Sequence, residues 1–132
     1  MENLKPITLG RLIDAVTKAG VIWEGHNEPK AVYFDFCGFV PAGIDSWRGD
    51  YAQLSLKRST TREYGCATAD SFLAMLKECI GYTFTGYKGG QYTASRETEI
   101  WVDENGACTH TAVVGIKDVH YGIVLVTANI EE

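Results

Sequence analysis

The chain reads as an α+β fold: an antiparallel sheet of about five strands with two helices packed on one face. Three observations predict it. Apolar residues recur at helical spacing in 8–19 and again in 68–80. β-Formers crowd into 31–37 and the stretch after residue 98, and the turn signal Asp103-Glu104-Asn105-Gly106 divides that last stretch into short strands. With 132 residues, 45% of them hydrophobic, the chain can bury a real core, and 1–132 is read as one domain.

Leu9, Leu12, Ile13 and Val16 follow Thr8, a natural N-cap, and Gly20 supplies a stop, so 8–19 is predicted as an amphipathic helix. Ala31 to Cys37 reads as a strand that Pro41 and Gly43 then end. In Tyr51 to Lys57, Leu54 and Leu56 share a face at strand spacing, which pairs this run with the strand before residue 47. Thr68 caps a second helix with the stripe Ala69, Phe72, Leu73, Leu76 and Ile80, ending before Gly81. The glycine- and tyrosine-rich stretch from Tyr82 to Thr93 suits a loop or tight hairpin better than a helix. Glu99 to Val102, Ala107 to Gly115 and His120 to Ala128 complete the chain as a β-meander. An open edge of that meander suits pairing with a twofold mate, so a homodimer is expected.

A net charge of −5 and a pI near 5.2 speak against duplex nucleic acid as the main partner, which calls for a basic face. No apolar run approaches the roughly 18 residues of a membrane span, and the first residues lack a secretory core. Cys37, Cys66, Cys79 and Cys108 form no Cys-x-x-Cys pair and are read as free thiols, which suits a reducing cytoplasm.

The most informative segment is Gly43-Ile-Asp-Ser-Trp-Arg-Gly-Asp-Tyr51. Trp47 and Tyr51 offer flat π-faces, Arg48 a fork of donors for phosphate or carboxylate, and Gly43 and Gly49 allow close backbone approach. The plainer alternative makes Trp47 a core plug and pairs Arg48 with Asp45 or Asp50. Gly86-Tyr87-Lys88-Gly89-Gly90 has the makings of an anion-cradling loop, although it lacks the spacing of a P-loop and also reads as an ordinary hairpin. Taken together, the expected ligand site has Trp47 and Tyr87 stacking on a ring, Tyr51 as a further binding residue, Arg48 and Lys88 holding phosphate, and Thr93 or Arg96 assisting. No resident cofactor is implied.

Catalytic constellations are weaker. Cys108 and His110 share a strand face, yet roughly 6.5–7 Å between their Cα atoms is too far for a direct bond. Cys37 is a second thiol candidate, with a buried structural role as the alternative. A metal site would have to gather His110, His120 and Asp35 or Asp118 without any spacing that demands it.

Phe34-Asp35-Phe36-Cys37-Gly38, Pro41, Asp45-Ser46-Trp47-Arg48-Gly49-x-Tyr51 and Gly86-Tyr87-Lys88-Gly89-Gly90-x-Tyr92 together resemble a family of small uncharacterised tailed-phage and prophage proteins, over about residues 31–115. The resemblance implies a bacterial host cytoplasm and an accessory role, and carries no catalytic or binding residue with it. Proteins of that class often counter host defence, which leads to two expectations. One is capture of a nucleotide-like small molecule without chemistry. The other is inhibition of a host defence protein through an acidic and aromatic surface.

Overall fold

A computed structural model describes residues 4–23, 25, 27–36, 39–46, 53–59, 68–85, 90–102, 111–119 and 122–130. Helix α1 (Leu9–Ala19) falls on the predicted segment. The Thr8 hydroxyl accepts from the Arg11 N–H at 3.4 Å. Gly20 closes the helix at φ 85°, a conformation that residues with a Cβ rarely adopt, and its N–H returns to the Val16 carbonyl. Lys30, a buried lysine, donates from Nζ to the Ala19 carbonyl at 2.8 Å and to Asp118 at 2.9 Å. Its ammonium thus sits at the negative end of the helix dipole.

The chain continues through β1 (Ile22–Trp23) and β2 (Glu28–Pro29), which pair as a small hairpin, then β3 (Ala31–Phe34), β4 (Val40–Ser46) and β5 (Leu54–Ser59). Helix α2 (Ala69–Cys79) follows, then β6 (Thr83–Thr85), β7 (Gln91–Thr93), β8 (Ile100–Val102), β9 (Thr111–Val119) and β10 (Gly122–Asn129).

The main sheet has six strands in the order β3-β10-β9-β8-β5-β4 and curls into a nearly closed barrel. Two expectations are corrected here. The sheet has six strands, not about five, and it is mixed, because β3 runs parallel to β10 and β5 parallel to β8. The physical reason is that a period-two pattern fixes which face of a strand is buried and says nothing about its neighbour. The predicted meander β8-β9-β10 is present, but both of its sides are taken within the chain, by β5 and by β3. On the β10 side the cover by β3 extends over Gly122–Leu125.

Pro41 and Gly43, expected to stop a strand, lie inside β4. An edge strand tolerates a missing N–H, and the register shift between Pro41 and Gly43 absorbs one extra residue. β4, rather than the strand of 31–37, is the partner of β5. Its two edges, β3 and β4, are consecutive in the chain and meet at a turn where the Phe34 N–H donates to the Phe39 carbonyl at 2.8 Å.

Both helices and the inward side chains form one core: Leu9, Leu12 and Val16 of α1, Phe72 and Leu76 of α2, and pairs such as Leu54/Leu56, Ile100/Val102 and Ile123/Leu125 from the strands. A bulge in β9 skips Val114 between Val113 and Gly115, so Val113 and Ile116, three apart, both reach this core. Trp101 points to the opposite face, packed with Ala112 and Ile130. At the β3–β10 contact a Cβ on Gly122 would lie 2.9 Å from the Ala31 carbonyl oxygen, so only glycine fits there.

In α2, Ala69, Phe72 and Leu76 are buried as predicted, whereas Ile80 stands outside the helix and exposed. Thr68 makes no side-chain cap bond; its backbone bridges to Ala31, and the Ala69 N–H donates to the Lys30 carbonyl at 2.7 Å.

Candidate functional site

Of the residues assigned to a ligand, Trp47, Arg48, Tyr51, Tyr87 and Lys88 lie outside the described residues, as do Cys37, Cys108, His110 and His120. Thr93 sits on β7, exposed, its hydroxyl 3.2 Å from that of Thr83 across the β6–β7 hairpin. Arg96 serves α1: its guanidinium donates to Asp14 at 2.6 Å and to the Gly10 carbonyl at 3.3 Å. These contacts hold it against the first turns of α1, where a Cβ on Gly10 would lie 2.7 Å from the Arg96 Cβ.

The residues that root the two predicted ligand segments do come together. Ser46 ends β4, Gln53 precedes β5, and β6 and β7 flank residues 86–89. Tyr92, on β7, donates its hydroxyl proton toward the Gln53 carbonyl at 2.6 Å, with the Ser46 hydroxyl at 3.0 Å. One phenol thus ties the hairpin to both ends of the 47–52 segment. Its ring stacks on Phe84, centroids 5.9 Å apart, and Phe84 meets Tyr82 edge-on at 4.8 Å. Burial raises the Tyr92 pKa, the Ser46 bond lowers it, and nearby Asp45 raises it again, so the phenol keeps its proton and its role as donor.

Beside this junction lies a cleft of about 500 Å³, within the range of small-molecule sites. Ile44 and Asp45 of β4 form one wall, Met75, Glu78 and Cys79 of α2 another, and residues 82–85 the third. The helical period places Met75, Glu78 and Cys79 on one stripe of α2. Alternation along β6 turns Phe84 toward the core and Thr83 and Thr85 outward, while Tyr82, just before the strand, is 60% exposed.

No family model matches the chain, and neither a curated protein nor a solved structure matches it.

Two carboxylates border the cleft. Asp45 already accepts from the Ser46 N–H at 2.8 Å and stands 3.8 Å from Lys57 Nζ. Glu78 is exposed and makes no hydrogen bond or ion pair among the described residues. Cys79 is buried, and burial, with the Glu78 charge second, pushes its thiol up to about 11, so it lines the cleft as a neutral, unreactive group. The carboxylates of the metal alternative are engaged elsewhere: Asp35 accepts from the Thr127 N–H at 2.9 Å, and Asp118 pairs with Lys30. Among the described residues no group of three His, Cys, Asp or Glu gathers as a metal site.

Sequence reasoning missed Tyr92, Glu78, Met75 and Phe84 as members of this site. Tyr92 stood within a motif already singled out, and its alternation with Thr93 was the available signal. Glu78 carries none, because an exposed glutamate on an amphipathic helix is ordinary.

Proposed function

We propose that this protein binds and sequesters a nucleotide-like small molecule without chemistry, as a phage accessory protein of the anti-defence type acting in the bacterial host cytoplasm. The observation that carries the reading is the Tyr92 hydroxyl shared between Gln53 and Ser46. It supports a common site for the 47–52 and 86–89 segments, rooted beside an aromatic-walled cleft. In this reading the ring of the ligand enters the cleft against Tyr82 and Met75. Phosphate is held by Arg48 and Lys88, because the cleft's own charged lining is acidic and repels it. Among the described residues no helix is long and apolar enough to cross a membrane, which is compatible with this placement.

The test is a panel of cyclic dinucleotides, ADP-ribose derivatives and mononucleotides followed by thermal shift and calorimetry. A ligand at a hundredfold its Kd stabilises the fold by about 2.7 kcal/mol, raising Tm by on the order of 10 °C. Arg48→Ala is expected to remove most of that rise. Silence across the panel by both methods defeats the proposal.

A second reading is favoured by Ile80 and Tyr82, 41% and 60% exposed, the latter lining the cleft with Asp45 and Glu78. An apolar and acidic patch of this kind suits contact with a host defence protein. A host partner captured equally well by Tyr82→Ala and by the unaltered protein would count against this surface.

A further inference from the structure

We infer that the cleft between α2, β4 and the β6–β7 hairpin selects guanine among nucleobases, with Glu78 reading the base edge. The inference rests on the nucleotide-binding reading above and names its ligand class.

The cleft's charged groups are carboxylates, and an ionised carboxylate is an acceptor only, with two oxygens set side by side. The ligand edge that satisfies both oxygens must present two adjacent N–H donors. Guanine does so, through its ring N1–H and exocyclic N2 amino group. Adenine and cytosine each place one amino donor next to a ring-nitrogen acceptor, and that acceptor would face a carboxylate lone pair. Uracil and thymine flank a single N–H with two carbonyls. A guanine–carboxylate pair is thus both bidentate and charge-assisted, while every other base leaves one oxygen unpaired or opposed.

Of the two carboxylates, Glu78 is the one available. Asp45 already holds the Ser46 N–H and faces Lys57, whereas Glu78 has no partner among the described residues. It is carried on the last helical turn of α2 and lines the cleft together with Met75 and residues 82–85. The base plane then has Tyr82 on offer at the mouth, its ring oriented by the edge-on contact with Phe84. Met75 supplies a polarizable thioether on the helix side. The neutral Cys79 thiol adds no charge that would compete with Glu78 for the donors.

The experiment compares GMP, IMP and AMP by calorimetry on the full chain. Inosine keeps the ring N–H and lacks the amino group, so the expected order is GMP, then IMP, then AMP, with GMP at least tenfold tighter than AMP. Glu78→Gln places a donor where an acceptor stood and is expected to cut GMP affinity about tenfold or more and to tighten AMP, whose ring-nitrogen acceptor then meets an amide donor. Since Glu78 is exposed, the variant keeps its fold, which the unchanged Tm of the free protein verifies. Equal affinities for GMP and AMP, or a GMP preference that survives Glu78→Gln, overturn the guanine assignment while the nucleotide reading stands. Absence of binding by all three, together with silence across the wider panel, removes both.

Discussion

Where α1 meets α2 and β9, the chain buries hydrocarbon: Leu9, Leu12, Val16, Phe72, Leu76 and Val113 are fully enclosed and need no directional bonds. Around the β6–β7 hairpin the same chain is held by rings and hydroxyls. Phe84 and Tyr92 stack, and Tyr92 reaches across to Gln53 and Ser46. The first region gains from area removed from water and is indifferent to a ligand's chemistry. The second keeps an open cleft and an unpaired carboxylate beside its bonds. The contrast teaches where to look for function in a small barrel: the side closed by polar, directional contacts is the side with selectivity to offer.

Three measurements break or sharpen that contrast. The largest effect is expected from Phe72→Ala, which empties the dry side and should cost about 3–5 kcal/mol in urea unfolding. A loss smaller than that of a hairpin variant would invert the comparison.

Next comes pH. Burial, reinforced by Glu78, raises the Cys79 thiol from 9.0 to about 11. The unfolded chain releases this proton near pH 9 while the folded chain keeps it, so stability is full below pH 9 and declines as pH rises toward 11. The slope is on the order of 1 kcal/mol per pH unit. Tyr92, also raised, adds to the decline with the same sign above its ordinary pKa of 10.0. Chemical denaturation at pH 8, 9 and 10 should show the decline, and Cys79→Ala should flatten it between 9 and 10.

The smallest effect on stability belongs to Tyr92→Phe, which keeps the stacked ring and deletes the hydroxyl. About 0.5–1.5 kcal/mol is expected from urea unfolding. On the proposed function, nucleotide affinity is expected to fall further than stability does, since the hydroxyl joins β7 to Ser46 and Gln53. A variant that binds as tightly as the parent would separate the cleft from those segments.

Much of the fold was legible because local signals and burial agree. Thr8 and Gly20 bracket α1, and the stripe Ala69, Phe72, Leu76 marks α2. Leu54 and Leu56 identify the buried face of β5. Strand partners were not legible. Nothing in Ala31–Phe34 announces a parallel neighbour some ninety residues later, as the register of Ala31 with Gly122 requires. β4 was hidden by Pro41 and Gly43, whose usual meaning as breakers is suspended on a bulged edge. For the site, the structure brings Ser46 and Tyr92 of the two motifs together through a hydrogen bond. Glu78 and Met75 entered it only through the packing of α2, which the helical stripe specifies by its other face.

The incomplete closure between β3 and β4 has a consequence beyond the native state. These are the two outer strands of the sheet, and α2 lies across both, joined to the first by the Ala31–Thr68 bridge. A partial opening that lifted α2 would bare two neighbouring strand edges at once, each a template for a foreign strand. The helix that lines the cleft thus touches both outer strands of the sheet, and its packing there keeps their edges from a foreign strand.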